Sequence, residues 1–156
     1  MKKYSIIIIV IWMIVIFSFS NAKSVDSDRA STKVIYNISN CIFKITNKLN
    51  ITDIDSNEYA TKASKKLNAP MRKVAHAFVY FVLSIICLYV LNIYKVKKYS
   101  LYTFLICFIY SISDEMHQLF ISGRYGTFKD VLIDSFGCVI GIILFKYIKG
   151  DKHEKA

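Results

Sequence analysis

The sequence predicts an all-α fold: an integral membrane bundle of four transmembrane helices with an amphipathic helix in the first outer loop. Three observations lead there. More than half of the 156 residues are hydrophobic, at 54%, and aromatics reach 15%. The apolar residues gather into blocks approaching the roughly 20 needed to cross the hydrocarbon of a bilayer. Lysines separate those blocks.

The four blocks fall at 4–19, 74–94, 99–121 and 131–148. The first and last are short but sufficient for a crossing. Little chain is left for a soluble domain, so residues 1–150 read as one membrane domain followed by a short charged tail, 151–156. A net charge of +10 raises the question of nucleic acid. The basic residues, however, lie at span ends and in the long loop, without the interleaved aromatics on which single strands stack. Membrane topology explains them better, and no nucleic-acid partner is expected.

With Lys2 and Lys3 inside, four crossings also place Lys95, Lys97, Lys98, Lys146, Lys149, Lys152 and Lys155 inside, leaving Arg124 and Lys129 in the short outer loop. A multi-pass protein of the cell membrane with both termini cytoplasmic follows. The loop 20–73 holds ten Lys or Arg and runs against that orientation. Loops near 60 residues exert weaker topological control. A rival account of the amino terminus is a secretory signal, with Lys2 and Lys3, an apolar core, and small residues at Ser20-Asn21-Ala22. The core stands at the upper limit for a signal, which favours a retained anchor. Cleavage would leave three spans and an outer amino terminus.

Within the first outer loop Ile35, Ile38, Ile42, Ile45 and Leu49 recur at spacings of three and four, with Ser31 or Thr32 as the expected cap. Lys33, Lys44 and Lys48 lie beside or away from this stripe. Such a helix either rests on the bilayer surface or packs against the spans. A second short helix is expected to begin at Asp55, capped with Glu58 three residues on, and to end before Pro70. Tyr94, Tyr99 and Tyr147 read as interfacial belt residues, and the lysine-rich carboxy terminus as a topology anchor.

Chemistry concentrates in two polar islands. Ser113-Asp114-Glu115-Met116-His117-Gln118 interrupts an apolar run, where ionisable side chains are costly and by default mark a working site. Arg124, Lys129, Asp130 and Asp134 follow across one loop, whose Gly123 and Gly126 permit a tight reversal. Asp114, His117 and Gln118 share a helical face by their spacing, Asp130 and Asp134 lie one turn apart, and Arg72 and His76 are one turn apart at the start of the second span. On the expected topology Arg72, Lys73 and His76 join these groups at the outer side. Below them Gly137 and Gly141 form a small-xxx-small step for close helix approach. Cys87, Cys107 and Cys138 fall within spans and Cys41 in the loop, with no metal or disulfide spacing. No metal and no cofactor is expected, and neither repeats nor low-complexity tracts occur.

Arg72-Lys73-x-x-His76, Ser113-Asp114-Glu115-x-His117-Gln118, Gly123-Arg124 and Asp130-x-x-x-Asp134-x-x-Gly137-x-x-x-Gly141 resemble, in order and spacing, the hallmarks of the VanZ-like family of integral membrane proteins. The resemblance covers about residues 17–144. Asp134 stands where relatives often carry Asn, adding a possible charge, and Ser122 where they often carry Pro, loosening the loop. The resemblance implies a role at the cell envelope and an association with low-level resistance to the glycopeptide teicoplanin. It carries no established reaction.

Three readings of the islands stay open. In the first, Arg72, Lys73 and Arg124 hold a phosphate or carboxylate while Asp114, Glu115, Asp130 and Asp134 orient them; the guanidinium fork suits such anions. Membrane lipids and a lipid-linked cell-wall precursor are the expected partners. In the second, Asp114, Glu115, His117 and Asp130 or Asp134 serve a membrane enzyme acting on a phosphate-bearing lipid, as acid and base or as ligands of a divalent ion. No nucleophile motif such as Gly-x-Ser-x-Gly supports it. In the third, the charges pair internally and His76, His117 and Gln118 hydrogen-bond between helices. Near balance between cations and carboxylates favours pairing, yet a purely structural set would need fewer charges, each costing about 2.5 to 3.5 kcal/mol at a span centre.

Overall fold

A computed structural model of the chain describes residues 2–21, 24–47 and 56–149. Five helices follow one another, α1 (Lys2–Ser20), α2 (Ser24–Asn47), α3 (Ser56–Ile93), α4 (Tyr99–Gln118) and α5 (Phe128–Lys149), with no strand among the described residues. The fold is all-α, as the apolar periodicity predicts. Two compact units divide the chain, one formed by Met1–Ala22 with Ala75–Ala156 and the other by Lys23–Val74. The long helix α3 contributes to both.

In the first unit α4 packs against α5 and α1. Its core gathers Ile16, Tyr80, Leu83, Cys87, Cys107 and Cys138, one or more from each of its four helices. The indole of Trp12 donates to the Val79 carbonyl at 3.0 Å, and the Tyr110 hydroxyl donates to the Met13 carbonyl at 2.6 Å. These bonds tie α1 to α3 and α4. The polarity of the unit is inverted relative to a soluble bundle. On α4 the buried face carries Ser100, Thr103, Ser111, Asp114, Glu115 and Gln118, while Leu101, Leu105, Ile109 and Met116 are exposed. On α5 Asp134 and two glycines face inward, with Leu132, Phe136, Ile140 and Ile143 outward.

Among the described residues two helices are long and apolar enough to cross a membrane, α3 over Ala60–Ile93 and α5 over Phe128–Lys149. The apolar stretch of α1, Tyr4–Ser20, is shorter, and α4 is not among the candidates. The reason lies in composition, since α4 ends on Ser113, Asp114, Glu115, His117 and Gln118 and lines its buried face with hydroxyls. It also ends at Gln118 rather than reaching residue 121, the chain there closing a turn in which Phe120 N donates to the His117 carbonyl at 3.0 Å.

The second unit pairs α2 with the beginning of α3 and differs from the sequence expectation in three respects. First, α2 starts at Ser24, so Ser31 and Thr32 lie inside it rather than capping it. Residues 24–30 contain no glycine or proline to stop the helix, and Asn68 and Arg72 of α3 grip its first turns through Asp28, Ser31 and Thr32. Second, the helix expected to stop before Pro70 runs unbroken from Ser56 to Ile93. Proline withholds one N–H from the ladder, a loss of about 3 kcal/mol in a helix interior. Here Asn68 and Arg72, on either side of Pro70, are both anchored on α2, and the apolar run beyond is satisfied only as helix. Third, the stripe of isoleucines splits: Ile35 is buried with Ser39 and Phe43, whereas Ile38, Ile42 and Ile45 are exposed. A spacing of four continues Ile35 onto Ser39 and Phe43, so the face turned to the unit's interior is not the most apolar one. Leu49, Lys48, Asp55 and the tail 151–156 lie outside the described residues.

Candidate functional site

The polar island of α4 lies in the first unit against the end of α1, the loop 119–127 and the start of α5. Helical spacing turns Asp114, Glu115 and Gln118 to the interior, where each is no more than 6% exposed. Asp114 Oδ2 accepts a 2.6 Å bond from the hydroxyl of Ser20, the fully buried last residue of α1. Gln118 Nε2 lies 3.3 Å from Asp114 Oδ2 and 3.2 Å from Glu115 Oε1, so a single amide bridges two carboxylates. Its distance to the Ser20 hydroxyl is 3.5 Å.

The loop reaches the same place by a specific backbone path. Gly123 has φ 77°, a left-handed conformation favoured by glycine. At Gly126 an added Cβ would collide with the Glu115 carbonyl, so the loop lies directly on the α4 backbone. Thr127 then starts α5. Its hydroxyl donates to Asp130 Oδ2 at 2.8 Å and accepts from Asp130 N at 3.3 Å, as an N-cap does. Its own N–H donates to Glu115 Oε2 at 3.0 Å, joining the cap to α4. Arg124, only 7% exposed, donates from Nη2 to the Phe19 carbonyl at 3.3 Å.

One turn beyond Asp130 on α5, Asp134 is fully buried and accepts a 2.7 Å bond from Ser111 of α4. His76 Nδ1 on α3 stands 4.0 Å from Asp134 Oδ1. Tyr80, one turn along α3 from His76, is fully buried, its hydroxyl without a hydrogen-bond partner among the described residues. His117 stacks obliquely on Phe17, with ring centroids 4.5 Å apart and its Nε2 without a hydrogen-bond partner among the described residues. Below the cluster α5 meets α3 through glycine. A Cβ at Gly137 would strike the Ala77 carbonyl, and one at Gly141 the Ser84 hydroxyl.

A family model described as VanZ/LLP1 matches residues 5–149, nearly the whole chain. The chain belongs to the VanZ/LLP1 family. No curated protein and no solved structure matches it. Membership brings the expectation of a membrane protein, in keeping with the two apolar helices.

In this VanZ/LLP1 protein, His76, Asp114, Glu115, His117, Gln118, Arg124, Asp130 and Asp134 all belong to the first unit. Arg72 and Lys73 belong to the second, where Arg72 Nη1 holds Asp28 Oδ1 at 2.6 Å. The first unit thus buries three carboxylates, Asp114, Glu115 and Asp134, and one guanidinium, Arg124, among the described residues. Asp114 Oδ1 and Asp134 Oδ1 are buried without a hydrogen-bond partner among those residues. Such acceptors invite a donor from a ligand or water. Sequence reasoning missed Ser20, Tyr80, Ser111 and Thr127. Thr127 was legible as a cap three residues before Asp130, and Ser111 by lying one turn before Asp114. Ser20 carried no signal beyond the polar end of an apolar block.

Proposed function

We propose that this VanZ/LLP1 protein acts at the cell envelope, where its cluster binds the polar headgroup of an anionic lipid or a lipid-linked cell-wall precursor and lowers susceptibility to teicoplanin-type glycopeptides. The observation that carries this is the pair of buried acceptor oxygens, Asp114 Oδ1 and Asp134 Oδ1, in a unit that also buries Arg124. A phosphate would meet the Arg124 guanidinium, while hydroxyl or amine groups of the same headgroup would donate to the carboxylates. Asp130 and His117 stand at the border of this arrangement. With Arg72 engaged by Asp28, the excess of buried acid speaks for a headgroup with donors over a simple anion.

Four crossings, outer placement of the cluster and cytoplasmic termini belong to the same proposal. Its support is the inverted polarity of α4, which buries hydroxyls and carboxylates and exposes leucine and isoleucine. Lipid-facing helices are apolar outward and keep ionisable groups inward.

A second reading is favoured by Ser20–Asp114, Gln118–Glu115 and Ser111–Asp134: the charges fix the bundle and hold no ligand. One experiment separates the two. Binding of a fluorescent teicoplanin-type lipoglycopeptide is compared in cells producing the wild type, Arg124→Ala, or no protein, alongside growth inhibition and membrane levels. Reduced binding and higher tolerance in the wild type alone, at equal protein levels, supports the site. Loss of Arg124→Ala from the membrane supports the structural reading, and equality of all three strains removes the resistance function.

A further inference from the structure

We infer that α2 is an interfacial helix, which lays an apolar stripe into a bilayer surface bearing anionic lipid. The stripe consists of Val34, Ile38, Cys41 and Ile45, at spacings of four, three and four. These positions fall within a sector of about 60° on the helix. Val34, Ile38 and Ile45 are 49%, 47% and 59% exposed, and Cys41 is exposed too. A separate side of the helix, centred about 130° round from the stripe and carrying Ile35, Ser39 and Phe43, is the buried one. So α2 has two faces with separate occupants, and its unit covers only one of them.

Charge and the chain itself indicate what covers the other. Lys33 and Lys44 are exposed and lie about 100° round from the stripe, both on the same side. From there their stems extend along the apolar surface and carry the ammonium groups to lipid phosphates. The segment 23–74 holds ten Lys or Arg against five Asp or Glu, so it is attracted to anionic lipid as a whole. The beginning of α3, with which α2 pairs in this unit, belongs to the same helix as a membrane-crossing candidate, Ala60–Ile93, which includes Asn68 and Arg72. A low overall hydrophobicity combined with a one-sided apolar face and flanking lysines is the pattern of a helix lying in the interface plane rather than spanning it. The carboxylate cluster plays no part in this inference.

Cys41 supplies the test, because Cys87, Cys107 and Cys138 are buried and Cys41 alone is exposed. The full chain, labelled at Cys41 with an environment-sensitive maleimide fluorophore, is placed in nanodiscs of phosphatidylcholine with or without phosphatidylglycerol. Quenching by lipids brominated on their acyl chains is compared with quenching by aqueous iodide. In the anionic discs lipid-borne quenching is expected to dominate. Each lysine near the surface is worth about a fivefold preference for it, so Lys33→Glu with Lys44→Glu returns the probe to iodide. Both substitutions are at exposed positions, and circular dichroism checks that the helices remain. Dominant iodide quenching in all discs overturns the inference by leaving the stripe in water. Shielding from both quenchers overturns it as well, since protein would then cover the stripe.

Discussion

Ser20 and Asp114, ninety-four residues apart, are joined by a 2.6 Å hydrogen bond between two buried side chains. The last residue of α1 thereby becomes part of the candidate site. Ser20→Ala leaves Asp114 Oδ2 with Gln118 as its remaining hydrogen-bond partner among the described residues. Loss of a partner from a buried polar group costs about 1–3 kcal/mol. A lower unfolding temperature of the purified protein in detergent is the expected result, and an unchanged one would show that the bond contributes nothing.

Asp114→Asn keeps the shape of the side chain and can still accept from Ser20. Normal accumulation in the membrane with loss of glycopeptide tolerance is therefore expected, measured by immunoblot and by growth inhibition. Disappearance of this mild variant from the membrane would assign the carboxylate to the scaffold.

Gly137 gives the clearest packing test, because a Cβ there meets the Ala77 backbone rather than a movable side chain. Overpacking typically costs about 1–3 kcal/mol, so Gly137→Ala should reduce thermal stability and membrane level. At Gly141 the nearest atom is the Ser84 hydroxyl, which can rotate, and the nearest backbone atom, the Phe81 carbonyl oxygen, lies at 2.9 Å, farther off than the Ala77 oxygen at Gly137. Gly141→Ala should therefore be the milder of the two, and an inverted order would contradict the α3–α5 geometry.

Thr127 joins three groups at the start of α5. Thr127→Ala removes the cap, for about 1 kcal/mol, while the backbone N–H still reaches Glu115. Thr127→Pro removes that N–H as well. The proline variant should be the less stable by thermal denaturation; equal effects would mean that the Glu115 bond carries no weight.

Arg72 and Arg124 should differ in kind. The Arg72–Asp28 pair is partly exposed, at 28% and 45%, so a double-mutant cycle should return about 0.5 kcal/mol or less after solvent screening. Arg72→Ala is expected to leave lipoglycopeptide binding at the wild-type level where Arg124→Ala changes it. Matching effects would support a role for Arg72 in the same site.

The sequence by itself determined the helical class, because apolar blocks of span length and the i, i+3, i+4 rhythm depend only on local periodicity. Family membership was legible in the same way, through the order and spacing of the motifs at 72–76, 113–118, 123–124 and 130–141. Periodicity also groups Asp114 with Gln118, since neighbours on one helix share a face whatever surrounds them. Tertiary structure decided which partner each face meets. It placed Ser20 on Asp114 and Ser111 on Asp134, gave Arg72 to Asp28, kept α3 helical through Pro70, and split the isoleucine stripe of α2 between a buried and an exposed side. Each of these outcomes depends on a helix remote in sequence or on packing around the helix itself. A single helix specifies the angle between its own side chains, but the direction in which that pattern points is set by the neighbour it packs against.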